Sequence, residues 1–165
     1  MKENMTLILG LGNILLGDEG VGVRVVEELG RRISFPPHIK LVDGGTGGYR
    51  LLPVISKARH LLIVDAVITG KEPGTIYRFK YGEIPENIVH KMFPHEVNIL
   101  EVLRTAEIQG SLPDTIIIGI EPENISSYTM ELTEELKNKI PDVIDVIIEQ
   151  LKTAGIVKNE DIKRL

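Results

Sequence analysis

Short apolar segments alternate with longer amphipathic segments along most of the chain, and each apolar segment ends at, or is followed by, a glycine or an acidic residue. An unbroken apolar segment predicts a strand buried on both faces, whereas alternating polarity predicts an edge strand. The alternating segment, the fourth in chain order, is therefore expected at an edge of the sheet, where it can run antiparallel. Five strands are predicted in this way, at 6–10, 39–42, 61–64, 74–81 and 115–120.

The amphipathic segments between the strands predict helices. In the first of them Val25, Val26 and Leu29 supply one buried stripe at helical spacing. Pro141 interrupts a similar stripe near the C-terminus, so we expect a kink or two abutting helices there. Helices are predicted at 19–32, 49–57 and 96–108, followed by a long one whose stripe comprises Leu136, Ile140, Ile144, Ile147, Ile148 and Leu151.

Strands that alternate with helices are typical of βαβ units, in which helices cover both faces of a mostly parallel sheet. The prediction is a single three-layer α/β domain over residues 1–165, with a mostly parallel five-stranded sheet between helices. Residues 1–4 and 156–165 are expected to be loosely ordered. In such sheets ligands bind beyond the carboxyl ends of the strands. The residues that follow each strand are therefore the first candidates for chemistry.

The amino-acid composition excludes several kinds of ligand and reaction. A net charge of −5 and an aromatic content of 4% disfavour nucleic acid, since phosphates are bound by Lys and Arg and unpaired bases stack on aromatic rings. The absence of cysteine excludes disulfides, thiolate metal sites and a cysteine nucleophile. No apolar segment is long enough to span a bilayer and no secretory signal is visible. We therefore expect a cytoplasmic protein that binds no membrane.

Acidic residues follow three of the predicted strands. Asp18 and Glu19 come shortly after the first strand, Asp43 directly follows the second and Asp65 the third. Parallel strands would bring these carboxylates to one rim, where a cation or a hydrogen-bond network would relieve their repulsion. With His95, at the start of a predicted helix, Glu19 and Asp65 form a candidate ligand set for zinc, nickel or manganese. Taken singly, the same residues also fit turns and helix caps, so both interpretations stay open.

Nucleotide binding is an alternative interpretation of the same region. Gly10 and Gly12 lie between a strand and a helix, and Asp43 could bind a ribose as in dinucleotide-binding folds. However, Leu15 occupies the third glycine position, and the two acids before the helix would repel a pyrophosphate. No GK[ST] sequence follows, so the segment is no phosphate-binding loop of that kind.

Four motifs in order resemble those of the [NiFe]-hydrogenase maturation endopeptidases. The first is long and specific, and reads GLGNILLGDEGVG from Gly10 to Gly22. The similarity extends from about Thr6 to Leu151, most of the chain. The other motifs are Asp43-Gly44-Gly45-Thr46, Asp65-Ala66 and Pro94-His95, and the Pro73–Thr75 and Gly119–Pro122 segments also fit in the same order.

This resemblance implies a twisted five-stranded sheet and an enzyme that removes the C-terminal extension of the large-subunit precursor of a [NiFe] hydrogenase. It maps the family's metal-contacting and catalytic positions onto Glu19, Asp65 and His95. It also implies that nickel arrives with the precursor, the expected partner, and acts as a checkpoint; zinc or cadmium could replace nickel in vitro. A non-cleaving chaperone of the same fold that binds nickel or the precursor stays an alternative.

The second motif supplies candidate substrate-binding residues, Asp43, Gly44, Gly45 and Thr46. Glycines let a substrate backbone approach closely, although a flexible turn between strand and helix explains them equally well. The sequence has no evident nucleophile, because it lacks cysteine and has no serine in a GxSxG elbow. This absence favours metal-assisted hydrolysis over an acyl-enzyme.

Overall fold

The computed structural model describes residues 2–83 and 99–165, which form a central five-stranded sheet, a small two-stranded sheet and the helices around them. The strands are β1 (Thr6–Leu11), β2 (Ile33–Ser34), β3 (Ile39–Gly45), β4 (His60–Ala66), β5 (Ile76–Lys80), β6 (Asp114–Ile120) and β7 (Lys163–Arg164). The helices are α1 (Val21–Arg32), α2 (Leu52–Lys57), α3 (Ile99–Ile108) and α4 (Glu134–Thr153). Short 3-10 turns lie at Gly17–Gly20, Gly48–Leu51 and Asn159–Asp161.

The central sheet has the strand order β3-β1-β4-β6-β5. Its first four strands are parallel, and β5 runs antiparallel to β6 at the edge. The predicted α/β fold class is therefore confirmed. From β1 the chain passes to β3 on one side and then to β4 on the other, so the strand order reverses between β1 and β4. In open α/β sheets the binding crevice lies beyond the carboxyl ends of the strands at this reversal.

Helices cover the sheet on both faces and enclose two separate cores. α1 and α4 pack on one face, and α2 and α3 pack on the other. Within β1, Ile8 belongs to the first core, whereas Leu7 and Leu9 belong to the second. Because successive side chains of a strand point to opposite faces, a strand covered on both sides must be apolar throughout. This explains why the segment reads as an unbroken apolar run.

Two strands extend at least two residues beyond their predicted carboxyl ends, and both extensions contain candidate site residues. β4 continues through Asp65, and β3 continues through Asp43 to Gly45. The N–H of Gly12 donates to the carbonyl of Gly45 at 2.9 Å, so pairing with β1 persists beyond the predicted end. Gly44 fits there because a Cβ at this position would lie 2.7 Å from a side-chain carbon of Leu9. The glycine that suggested a turn is therefore part of a paired strand, where its lack of a side chain leaves room for Leu9 and Leu11.

α4 runs without interruption through Pro141, so the expectation of two abutting helices is wrong. Proline removes a single backbone N–H from the helix. The buried stripe continues on both sides of it, through Ile140 and Ile144 in the first core. Packing of the whole stripe therefore outweighs the lost hydrogen bond.

Several described residues in the two segments expected to be loosely ordered have definite contacts in the structure. In the segment 156–165, Val157 is buried, β7 pairs with β2, and the N–H of Leu165 donates to the carbonyl of Arg32 at 2.8 Å. At the other end of the chain, Lys2 Nζ donates to three backbone carbonyls.

The predicted helix 96–108 is present from Ile99 onward, as α3. Its predicted start, together with Pro94 and His95, lies outside the described residues. None of the helices within the described ranges combines the length and the apolar character that crossing a bilayer requires.

Candidate functional site

Two glycines bring the start of α1 into direct contact with the ends of β1 and β4. A Cβ on Gly22 would lie 2.0 Å from the carbonyl oxygen of Val64 and 2.5 Å from that of Leu11. A Cβ on Gly10 would lie 2.5 Å from the carbonyl oxygen of Gly22. Only glycine permits backbones to approach this closely. α1 therefore begins against the residue that precedes Asp65, at the point where the strand order reverses.

Asp18, in the 3-10 turn before α1, is fully buried and holds two parts of the chain together. Its Oδ2 accepts the N–H groups of Glu123 (2.9 Å) and Asn124 (3.1 Å). Thr133 donates its hydroxyl to Oδ2 at 2.9 Å and its N–H to Oδ1 at 2.8 Å. Both carboxylate oxygens are thus engaged by the segment that leads into α4, which makes Asp18 a structural residue.

Glu19 and Asp65 are the two acids that this geometry places at the reversal point. Glu19 follows Asp18 in the same turn and is 8% exposed, whereas Asp65 lies within β4 and is fully buried. Asp65 Oδ1 accepts the N–H of Ala66 at 2.8 Å. Burial disfavours a carboxylate charge unless hydrogen bonds or a cation compensate it. Because carboxylate oxygens are common cation ligands, the crevice is a candidate cation site.

The predicted ligand set extends beyond the described part of the chain. Among residues 2–83 and 99–165, no three side chains of the metal-ligating types come together. His95, the third member of the predicted set, lies outside these ranges. The assignment of Glu19, Asp65 and His95 as catalytic and metal-binding residues stays a prediction. Two carboxylates and an imidazole suit zinc, nickel or manganese.

The second motif lies on the opposite side of β1 from Asp65. Asp43 is exposed, pairs in register with Gly10, and accepts the N–H of Gly45 through Oδ1 at 3.0 Å. Thr46 is also exposed, whereas Gly44 is buried. Gly44 therefore serves the packing of the sheet, while Asp43 and Thr46 face solvent at the rim. Their role in substrate binding, with that of Gly45, stays a prediction.

Glu121 is a buried acid at this rim to which the sequence analysis assigned no role, although it singled out the Gly119–Pro122 segment. Glu121 Oε1 accepts the N–H groups of Thr69 (2.9 Å) and Lys71 (3.3 Å) and the hydroxyls of Thr69 (3.0 Å) and Tyr77 (2.7 Å). These bonds fasten the loop between β4 and β5 next to β6. Because the partners lie 44 to 52 residues away in the chain, no local sequence signal marks this role.

The surroundings of Tyr77 perturb its ionisation. Partial burial raises the pKa of the Tyr77 phenol, and the hydrogen bond between the hydroxyls of Tyr77 and Thr69 lowers it. The hydrogen bond to Glu121 and the negative charge of that carboxylate raise the pKa further. The phenol therefore stays protonated to a higher pH than an ordinary tyrosine.

A cleft of about 440 Å³ lies at the opposite end of the sheet. It is lined in part by His60 and Asp114, the first residues of β4 and β6, and by Gln150 near the end of α4. His60 Nδ1 lies 3.6 Å from a carboxylate oxygen of Asp114. The amino ends of the parallel strands meet here, so this cleft is separate from the rim that carries the four motifs.

A mostly parallel sheet with two buried carboxylates at its reversal point defines an α/β protein with a candidate ligand site at the carboxyl ends of its strands. The sequence profile of the hydrogenase maturation protease family matches residues 23–150. The chain therefore belongs to the hydrogenase maturation protease family, and the resemblance drawn from the four motifs is confirmed.

Individual relatives agree with this assignment. The chain is 40% identical to hydrogenase 2 maturation protease of Escherichia coli K12 over 105 residues, 63% of this chain and 64% of that protein. It is 38% identical to the hydrogenase expression/formation protein HupD of Rhodobacter capsulatus over 110 residues, 66% of this chain and 52% of that protein. These matches thus span between half and two thirds of each relative.

Similarity in three dimensions extends further than similarity in sequence. The hydrogenase maturating endopeptidase HybD from E. coli superposes with a TM-score of 0.85 at 31% identity. The superposition covers 98% of this chain and 96% of that chain. The two proteins therefore share the whole fold.

Proposed function

We propose that this chain is an endopeptidase that removes the C-terminal extension of the large-subunit precursor of a [NiFe] hydrogenase. Its family membership supports the reaction class. The observation that carries the proposal is the pair of buried acids, Glu19 and Asp65, at the reversal point between β1 and β4, where α/β sheets bind ligands. The proposal also places the protein in the cytoplasm.

In this proposal the nickel of the precursor is the part of the substrate that Glu19, Asp65 and His95 recognise. Carboxylate and imidazole ligands suit nickel, and zinc or cadmium could take its place in vitro. Three protein ligands leave coordination positions for groups of the precursor itself. A precursor without nickel would lack the ion that these side chains are proposed to bind and would therefore bind more weakly.

The residues of the chain itself hold the reacting groups in position. The N–H of Ala66 orients the Asp65 carboxylate, and the hydrogen bonds of Asp18 hold the turn that carries Glu19. Burial keeps bulk water away from both acids, which strengthens their interaction with a cation. When bound there, nickel would polarise the scissile carbonyl or acidify a water molecule.

The direct test is incubation of the purified protein with nickel-loaded and nickel-free forms of a matched large-subunit precursor, with loss of mass at the C-terminus as the readout. We expect cleavage of the loaded form alone. Cleavage of neither form would contradict the proposal. Binding without cleavage would support instead the chaperone of the same fold.

Substitution of the proposed site residues tests whether they take part in the reaction. Asp65→Asn and His95→Ala should each reduce processing roughly 100-fold or more, the order of loss seen when one catalytic group is removed. Asp142→Asn, an exposed position on α4, is the matched control and should process normally. Circular dichroism would verify that the variants are folded. Normal processing by both site variants would exclude these residues from the reaction.

A further inference from the structure

Three large apolar side chains are exposed beside the candidate site. Leu15 is 54% exposed, Tyr128 91% and Met130 56%. Single apolar residues on a surface need no explanation, but a group of them at one place is typical of a contact surface. We call these three residues the apolar platform.

Backbone pairing holds the parts of the platform together. Leu16 forms a parallel bridge with Thr129. The N–H of Thr129 donates to the carbonyl of Leu15 at 3.0 Å, and the N–H of Gly17 donates to the carbonyl of Thr129 at 2.8 Å. The platform consists of the residue before Leu16 and the residues on either side of Thr129. Each platform residue directly adjoins a bridged residue, so the three exposed side chains lie close together on the surface.

The platform is joined firmly to the turn that carries Glu19. Leu15 precedes Glu19 by four residues in the chain. Asp18, which lies between them, accepts four hydrogen bonds from the segment 123–133. That segment contains the other two platform residues, Tyr128 and Met130. The distance between the platform and the candidate site is thereby set by buried hydrogen bonds. A substrate bound to both would be held in a defined register.

The surroundings of the platform are acidic. The segment 121–135 contains no Lys or Arg. Lys137 pairs with two of its acids at 3.1 and 3.4 Å, and those bonds raise the pKa of the Lys137 ammonium. Arg24, which donates to the carbonyl of Met130 at 2.8 Å, is already paired with Glu27. A negative charge therefore remains. Its sources are the four exposed acids Glu123, Glu131, Glu134 and Glu135.

We infer that the apolar platform docks the segment of the hydrogenase precursor that flanks the scissile bond, and that this segment carries apolar and basic side chains. The inference rests on the proposed function and adds the surface that holds the substrate chain. Apolar contacts supply affinity, and the acidic surroundings select and attract Lys or Arg on the partner. An acidic partner segment would be repelled from the same surface.

The test compares steady-state cleavage of a nickel-loaded precursor by the wild type, Tyr128→Ser and Leu15→Ser. Removing a contact made equally in the ground and transition states raises KM without lowering kcat. We expect KM to rise about tenfold in each variant, the size of a typical interface contact, with kcat within about twofold. Ile108→Ser is the matched control, because Ile108 is 79% exposed at the end of α3, where the chain turns towards the amino end of β6.

Charge gives a second, independent measurement. Glu123→Lys should raise KM, whereas Glu107→Lys, an exposed acid on α3, should not. Platform variants that match Ile108→Ser in KM, or that lose kcat with KM unchanged, would overturn the docking inference and leave the proposed function standing. A wild-type protein that cleaves no matched precursor would overturn both.

Discussion

Asp18 and Glu19 are neighbours in one 3-10 turn, yet their surroundings give them different tasks. The carboxylate oxygens of Asp18 accept hydrogen bonds from backbone N–H groups and from a hydroxyl, all in a segment 105 to 115 residues further along the chain. Glu19 lies at the crevice instead. The sequence analysis chose Glu19 for the ligand set but assigned no structural role to Asp18, because the contacts that define that role are long-range.

Removal of the Asp18 carboxylate should destabilise the fold. Asp18→Ala would leave three backbone N–H groups and the Thr133 hydroxyl without their acceptor in a part-buried environment. We expect a loss of about 3 kcal/mol or more in the free energy of unfolding, measured with urea. Asp142→Ala, on the exposed face of α4, should cost less than about 0.5 kcal/mol. Equal losses in the two variants would contradict the structural role.

The Tyr77 phenol should make the fold sensitive to alkali. Its pKa is raised in the folded state, mainly by burial, so the folded protein holds the proton more tightly than the unfolded chain. The contribution to stability is complete below about pH 10 and is lost as the pH rises through the folded pKa. Tyr77→Phe should therefore flatten the alkaline fall in the free energy of unfolding.

Urea unfolding across a pH series would measure this effect, and tyrosinate absorbance would follow the titration itself. Tyr128→Phe, at an exposed ring, is the matched control. Glu121→Gln should lower the pKa of Tyr77, because it removes the carboxylate charge that raises it. An alkaline fall that is identical in Tyr77→Phe and the wild type would show that another group is responsible.

At the scale of elements, sequence pattern predicted long apolar strands and missed features set by distant contacts. β1, β4 and β6 were predicted because strands covered on both faces must be apolar throughout. The two-residue strands β2 and β7 were not predicted, since their pairing joins the end of α1 to the last residues of the chain. The close contact between the start of α1 and β4 could not be predicted either, because nothing in the sequence distinguishes Gly22 from an ordinary helical residue.

The close contact of α1 with the strand ends should depend on Gly22. Gly22→Ala would place a methyl group 2.0 Å from the carbonyl oxygen of Val64, so α1 and the turn carrying Glu19 must shift. We expect a loss of about 1–3 kcal/mol in the free energy of unfolding, together with slower processing. Gly30→Ala in the same helix is the matched control. Its Cβ would lie 3.5 Å from Leu41, an ordinary contact, so it should stabilise the protein by about 0.5–1 kcal/mol.

Thermal unfolding and precursor cleavage would measure both variants. If Gly22→Ala matched Gly30→Ala in stability and in the rate of precursor cleavage, the close contact of α1 with the strand ends would not affect the candidate site.

At the scale of the whole molecule, the two ends of the parallel strands carry different features. The acids, the glycine-containing motifs and the apolar platform lie at the carboxyl ends. The amino ends carry the cleft beside His60 and the pairing of β2 with β7. α1 connects the two ends over 12 residues, or about 18 Å. Changes at the amino ends should therefore alter the stability of the protein without altering its processing activity.

Truncation of the chain after Asp161 tests this separation. It removes β7, the packing of Ile162 on the first core, and the hydrogen bond from Leu165 to Arg32. We expect the free energy of unfolding to fall by about 1–3 kcal/mol, from lost apolar burial and backbone hydrogen bonds. Below the unfolding transition, kcat and KM for the precursor should stay within about twofold of the wild type, because no removed group reaches the rim.

The double variant Lys163→Ala, Arg164→Ala is the control for this truncation. It retains the backbone pairing with β2 and alters only two exposed side chains, so its stability should stay close to that of the wild type. Loss of processing by a folded truncated protein would mean that the C-terminal segment acts on the site through α1. The turn carrying Glu19, at the far end of that helix, would then be the element whose position the last residues of the chain control.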